Sequence, residues 1–313
     1  MMKQRILITP KSYKNYKEKT YPMLLEKGYE IVENTYGRTM TEDEITEIAS
    51  QGVVGIIIGV DPLPASVLEK CRDLKAISKY GVGMDNIDLV KAAELGIKVK
   101  NALGTNNVSV AELAIGLMFT MSRSISRVTA SVKNGSWDRF IGCELTGKKL
   151  GLVGGGQIGK EVAKRARGLE MSLTIYDPYF NDAEFLSKFG ITRSDKLEVL
   201  LADSDFVSLH LPVTNETKHM INETTLGLMK PNCILINTSR GELVDEEALY
   251  KALIKSKIAG AAQDVFSSEP PAKDEKFLKL ENFILTSHIG AFTHEAVEKM
   301  AMVSTKNLLD MLG

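Results

Sequence analysis

Residues 148–177, KKLGLVGGGQIGKEVAKRARGLEMSLTIYD, read as a strand, a glycine-rich turn, a helix and a second strand that ends in a carboxylate. Gly154, Gly156 and Gly159 give the G-x-G-x-x-G spacing, with Gln157 and Ile158 opening the helix. The first glycine permits the tight turn, the second lets a pyrophosphate approach the backbone, and the third lets helix and strand pack closely. The helix start then aims free N–H groups and its positive end at that phosphate. Asp177 lies 23 residues beyond Gly154. A carboxylate there accepts hydrogen bonds from a ribose diol and repels a 2′-phosphate, so NAD is expected over NADP. No Arg or Lys follows in Pro178, Tyr179 and Phe180, which agrees.

The remainder of the chain is ordinary in bulk. Its 313 residues are long for one core at roughly 100–200 residues per domain, so two domains are expected. Hydrophobic content of 44% and charged content of 25% are those of a globular chain. With 39 basic against 40 acidic residues, no net field is available to hold nucleic acid or an anionic membrane. Apolar runs such as VVGIIIGV at 53–60 are too short to span a bilayer, and the N-terminus lacks a signal-peptide pattern, so the expected location is cytoplasmic. Cys71, Cys143 and Cys233 are scattered, and His210, His219, His288 and His294 show no zinc spacing. Reduced thiols and no metal are expected.

Upstream of the glycine turn, residues 4–100 alternate short Ile/Val-rich runs with amphipathic segments, as buried parallel strands alternate with helices. This stretch ends in SKYGVGMDNID, where Gly81 and Gly83 put main-chain N–H groups in a tight loop able to receive a carboxylate. A plain turn is the alternative. A long apolar helix is expected over about 108–132, opened by a capping box at Ser109-x-x-Glu112, and would link the domains. The only Trp, Trp137, follows among glycines and charges, either as a dimer contact or as cover for the core. Downstream, the last helix carries Ala296, Val297, Met300, Val303, Leu308 and Leu309 on its apolar side and is expected to return to the N-terminal domain. The expected architecture is therefore two doubly wound parallel-sheet α/β domains, with a dinucleotide domain at 102–287 inserted into a substrate domain at 1–101 and 288–313. Two crossings of that kind would form a hinge and cleft.

In the second half each apolar run finishes at an unusual polar residue: DFVSLH at His210, CILINTSR at Arg240, KIAGAAQD at Asp264, NFILTSH at His288. Ligands of open parallel sheets bind outside the carboxyl ends of the strands, so these side chains and Asp177 should share one edge. The set suits hydride exchange with a hydroxy acid. Arg240 offers a planar fork for a carboxylate and its neighbouring carbonyl. His288 can give and accept a proton near neutral pH, and Glu269 would orient it and stabilise its imidazolium.

Over nearly its whole length the chain resembles the D-isomer-specific 2-hydroxyacid dehydrogenase family, in the blocks YGVGMDNIDL, SVAELAIGLM, VGGGQIG, HLPVTNETKHMIN, INTSRGELVDEEAL, AAQDVFSSEP and SHIGAFT. The resemblance implies that Arg240 binds and polarises substrate, that Glu269 and His288 form the acid/base pair, and that Asp264 holds the nicotinamide carboxamide. It places Val110, His210, Pro212, Thr217 and Thr238 along the cofactor, and Lys79, Tyr80, Gly81, Val82 and Gly83 at the substrate. It also implies a homodimer through the arm containing Trp137. Glu269 argues against the formate dehydrogenase branch, which has Gln there, and Val82 against the phosphite dehydrogenase branch, which has Lys. The SKYGVG block resembles the phosphoglycerate dehydrogenase branch, with Lys79 at a position where some members contact phosphate, although a second basic residue near Gly59 is absent. The first expectation for substrate is 3-phosphoglycerate, with hydroxypyruvate or glyoxylate as the nearest rival and an NAD-sensing corepressor as the remote one. The chain stops without the C-terminal regulatory domain of longer members, so no feedback inhibition by serine is expected.

Overall fold

The computed structural model describes residues 3–313. The chain divides into two compact units, one running to Asn106 and resuming at Ala291, the other spanning Asn107–Gly290.

The first unit is built on five parallel strands, β1 (Arg5–Ile8), β2 (Glu30–Glu33), β3 (Val53–Ile58), β4 (Ala76–Lys79) and β5 (Lys98–Asn101), in the order β2-β1-β3-β4-β5. That order is one of the doubly wound arrangements and has helices on both faces. The central β3 is buried at every position, which is why its sequence is a continuous apolar run and does not alternate. One face is closed by the C-terminal helix His294–Leu312, whose Val297, Met300, Ala301, Leu308 and Met311 pack with Ile6, Ile8, Tyr13 and Ile57. Burial of Val297, Met300, Leu308 and Met311 contributes roughly 1.5–3 kcal/mol each. The buried stripe differs from the expected one: Ser304 and Thr305 are buried while Val303 and Leu309 are only partly covered. The reason is polar pairing, since Ser304 donates to the Met300 carbonyl, and Thr305 donates to Ala301 and meets the Tyr13 hydroxyl.

The second unit carries seven parallel strands, β6 (Lys149–Val153), β7 (Ser172–Tyr176), β8 (Ile191–Arg193), β9 (Phe206–Leu209), β10 (Ile234–Asn237), β11 (Gly260–Gln263) and β12 (Phe283–Leu285). Their order, β12-β11-β10-β9-β6-β7-β8, reverses direction between β6 and β9. That switch point is where an open α/β sheet leaves a crevice at its carboxyl edge.

Three local expectations are corrected. The apolar helix is two helices, Asn107–Ser122 and Ile125–Lys133, bent by 63° at Ser124, which is left-handed with φ 49°. The freed Ser122 carbonyl accepts from the Cys143 N–H at 2.9 Å, so the returning chain replaces the helical hydrogen bond. Ser109 is no cap: it lies inside the first helical turn and is buried, and Glu112 instead pairs with Arg165 at 3.0 Å. Trp137 is no cover for the core, being 78% exposed.

The unit borders fall at 106/107 and 290/291, where 101/102 and 287/288 were expected. Residues beyond 101 stay with the first unit because the Ala102 N–H donates to the Gly81 carbonyl and the Thr105 hydroxyl to Ala102. His288, Ile289 and Gly290 stay with the second because all three N–H groups bond to Asp264. Among the described residues, no single helix is long and apolar enough to cross a membrane, and no group of three His, Cys, Asp or Glu could hold a metal ion.

Candidate active site

The glycine turn follows β6 directly. Gly154 has φ +105°, and a Cβ there would lie 2.3 Å from the His210 carbonyl oxygen; one on Gly159 would lie 2.2 Å from the Gly154 oxygen. Any side chain at either position would push the turn or the helix off the sheet. Around Gly156 a Cβ would meet nothing within 4 Å, so the cradle is tight beneath and open above. Gly156 caps the 12-residue helix Gln157–Gly168, whose Ile158 packs into the core below and whose Gln157 accepts from Asn107 at 2.5 Å. Asp177, next after β7, accepts from the Gly155 N–H at 2.8 Å and the Tyr179 N–H at 2.9 Å. Both bonds fix the carboxylate beside the turn, and each oxygen keeps a further lone pair for a diol.

Next to β6, β9 ends at His210. The imidazole is 8% exposed, its Nε2 meets the Ser208 hydroxyl at 2.8 Å, and its Nδ1 has no partner in the protein. Burial pushes its pKa down to about 3, so the ring is neutral at physiological pH. Thr238, just beyond β10, is likewise buried with its hydroxyl unpaired. Unpartnered buried polar atoms are costly and call for a ligand or water. Pro212 and Thr217 share one turn, closed by the Thr217 hydroxyl donating to the Pro212 carbonyl at 2.8 Å. Val110 is buried, 3.3 Å from where a Gly290 side chain would begin. The turn, the Asp177 carboxylate and the orphaned polar atoms at the switch point fit a nicotinamide dinucleotide.

The chemistry-bearing side chains come from the ends of β10, β11 and β12. His288 Nδ1 lies 2.7 Å from Glu269 Oε2, while Glu269 Oε1 accepts from the Phe266 N–H at 2.9 Å. Burial raises the Glu269 pKa, but the bonds from His288 and Phe266 and the charge of Arg240 outweigh it and hold the carboxyl below its ordinary range. Arg240 is set by Asn237, whose amide donates to the Arg240 carbonyl at 2.8 Å and accepts from the Ser239 N–H at 3.0 Å. Its guanidinium also donates to the Ser239 carbonyl at 2.6 Å.

Asp264 serves the turn more than it faces outward. It is 1% exposed, with Oδ1 accepting from Thr286 at 2.5 Å and Ile289 at 2.9 Å, and Oδ2 from the Gly290 N–H at 2.7 Å. Its carbonyl takes the His288 N–H at 2.9 Å. These bonds hold His288 at φ 55°, a left-handed conformation a side chain seldom adopts, and thereby set the ring against Glu269. One lone-pair direction on Oδ2 is left for a carboxamide.

In the first unit, Lys79, Tyr80, Gly81, Val82 and Gly83 close β4 and the loop after it. Tyr80 is buried and its hydroxyl meets Ser12 at 3.1 Å. Lys79, expected at a phosphate, is 6% exposed, and its ammonium donates to the Gly59 carbonyl at 2.5 Å and Asn86 Oδ1 at 2.6 Å. Two of its three N–H groups are thus committed to the fold. Asn86, Asn237 and Thr286 escaped the sequence reading, although each is a short polar residue within three positions of a candidate site residue. Local Asx-type bonding to the backbone is a signal for Asn237 alone; Asn86 and Thr286 bond to residues more than 20 positions away, which no local pattern shows.

The model of the D-isomer specific 2-hydroxyacid dehydrogenase NAD binding domain matches residues 115–290. The chain is 42% identical to D-3-phosphoglycerate dehydrogenase of Methanocaldococcus jannaschii over 87% of its own length, and spans about half, 52%, of that relative. It is 40% identical to hydroxypyruvate reductase of Thermotoga maritima, covering 88% of this chain and 89% of that one. The apo structure of D-lactate dehydrogenase from Escherichia coli superposes with a TM-score of 0.86 at 28% identity, over 99% of this chain and 97% of that one. The chain belongs to the D-isomer-specific 2-hydroxyacid dehydrogenase family and carries its NAD-binding domain.

Proposed function

We propose that this protein is an NAD-dependent oxidoreductase interconverting a D-2-hydroxy acid and its 2-oxo acid, with a short unphosphorylated acid of the hydroxypyruvate or glyoxylate type as substrate. The observation that carries the reading is the 2.7 Å pair of His288 and Glu269 in the field of Arg240, at the edge of the sheet that bears the glycine turn. With Nδ1 engaged by Glu269, Nε2 is the atom that exchanges a proton with the substrate hydroxyl. Glu269, ionised through the neutral range, stabilises the imidazolium while it holds that proton. Arg240 receives the carboxylate and draws electron density from the adjacent carbonyl. Bound NAD supplies the hydride acceptor or donor.

Two roles rest on placement in the other unit and on exposure. The loop Gly81–Gly83 offers main-chain N–H groups to the substrate carboxylate. The segment around Trp137, with Ile141 fully exposed and the helix Ile125–Lys133 burying none of its residues, supports a homodimer through this arm. The bonds of Lys79 to Gly59 and Asn86 weigh against the phosphate contact on which 3-phosphoglycerate rested, and so favour an unphosphorylated acid. Relatives named for both substrate types leave the choice to experiment.

The test follows NADH absorbance with hydroxypyruvate, glyoxylate, pyruvate and 3-phosphohydroxypyruvate. Higher kcat/KM for the unphosphorylated acids is expected. Preference for 3-phosphohydroxypyruvate would reverse the substrate assignment, and tight NADH binding without turnover of any acid would favour a sensor.

A further inference from the structure

We propose that Lys79 is a positioning residue for the loop Gly81–Gly83, acting on every 2-oxo acid alike through a buried tether and not through contact with a phosphate. The proposal rests on the reading of that loop as the seat of the substrate carboxylate.

The tether joins three segments that flank the loop. Lys79 ends β4 immediately before it, Gly59 follows β3 on the neighbouring strand, and Asn86 lies three residues beyond Gly83. The Lys79 ammonium bonds the Gly59 carbonyl and Asn86 Oδ1, at 2.5 and 2.6 Å. Asn86 Nδ2 returns to the same Gly59 carbonyl at 3.1 Å and to the Asp61 carbonyl at 2.5 Å. Gly59 is pinned in turn by its N–H to Thr9 at 3.0 Å, and Thr9 bonds the buried Asp61 carboxylate, which also takes the Met40 N–H at 2.7 Å. Loop entry, loop exit and the neighbouring strand end thus share one closed polar network.

The lysine stem also lies beneath the loop. Gly81 has φ +139°, and the nearest atom to a Cβ built there is Lys79 Cε at 3.8 Å. On the other side, Asn101 Nδ2 donates to the Val82 carbonyl at 2.7 Å and the Ala102 N–H to the Gly81 carbonyl at 2.9 Å. In a trans peptide the N–H points opposite to the C=O. With those two carbonyls drawn toward the end of β5, the N–H groups of Val82 and Gly83 are turned the other way, as an anion-binding loop requires.

Lys79→Met keeps the stem and removes the donors. It should raise KM for hydroxypyruvate and 3-phosphohydroxypyruvate by one common factor, on the order of tenfold, with kcat changed less than about threefold. Hydrogen exchange at the Gly81–Gly83 amides should quicken by about tenfold while the amides of β6 and β9 keep their rates. Asn86→Ala should act alike and, combined with Lys79→Met, add little further, since both break one network. Should Lys79→Met fail to fold, Asn86→Ala reads the same tether. A KM effect confined to the phosphorylated acid would overturn the proposal in favour of direct phosphate contact. A lowered Tm with unchanged KM and unchanged loop exchange would reduce Lys79 to stability alone. Wild-type protein inert toward every acid would sink the dehydrogenase reading, while the exchange experiment would still report on the tether.

Discussion

The molecule has two glycine loops at the carboxyl ends of parallel strands, and they are built on opposite plans. The loop after β6 leads straight into a 12-residue helix, so backbone N–H groups and the helix dipole supply its affinity for phosphate, and its backbone packs so closely that a Cβ on Gly154 or Gly159 would fall 2.3 or 2.2 Å from a carbonyl oxygen. The loop after β4 has no helix at its exit. Its next helix starts only at Leu89, and its shape comes from side chains, Lys79 and Asn86 on one flank and Asn101 on the other. A loop shaped by its own backbone tolerates no substitution at the glycine. A loop shaped by side-chain braces can be loosened by degrees.

If the second unit carries the chemistry and the first places the substrate, damage to the second should show in kcat or cofactor binding, and damage to the first in KM. The largest effect is expected for His288→Ala, a fall in kcat of about 10²–10⁴ with NADH affinity, read by fluorescence titration, nearly intact. Near-normal turnover would remove His288 from the proton path. Gly154→Ala comes next: with a Cβ 2.3 Å from a backbone oxygen it should cost on the order of 3 kcal/mol in urea unfolding and abolish measurable NADH binding. Gly81→Ala meets nothing closer than 3.8 Å and suffers only from its φ of +139°, so about 1–2 kcal/mol and a raised KM are expected. Equal damage at Gly154 and Gly81 would erase the contrast between the loops.

The smallest effect concerns pH. His210 is neutral in the fold, with its pKa lowered from 6.5 to about 3, so below pH 6.5 the unfolded chain binds a proton that the folded chain does not. The stability is therefore complete above pH 6.5 and is lost as pH falls toward the folded value, by up to ~1.4 kcal/mol per pH unit. His210→Asn should flatten this part of the Tm-against-pH curve relative to wild type; parallel curves would show that the imidazole is not held neutral.

Much of this arrangement was legible before the fold was known. The strands, the glycine turn and the row of polar residues closing β9 to β12 are visible because each depends on neighbours in sequence: buried strands are short and apolar, and G-x-G-x-x-G states a backbone requirement. The pairing of His288 with Glu269 was expected from residue chemistry and is met by geometry. Less was readable where one residue answers to distant ones. The helix expected over 108–132 breaks at Ser124 because Cys143, far along the chain, takes the Ser122 carbonyl. Asp264, read as a cofactor contact, gives three of its carboxylate bonds to residues 286–290.

The sequence by itself determined the two βα domains, the NAD-type turn with its carboxylate, and which residues can carry proton and charge, because periodicity, glycine sterics and side-chain chemistry are local properties. Only the tertiary structure decided which polar groups are spent inside the fold. Whether Lys79 reaches for a phosphate or for Gly59 depends on a strand end 20 residues earlier in the chain, brought beside it by the β3–β4 pairing. A lysine looks the same in either sequence; its partners are chosen by packing.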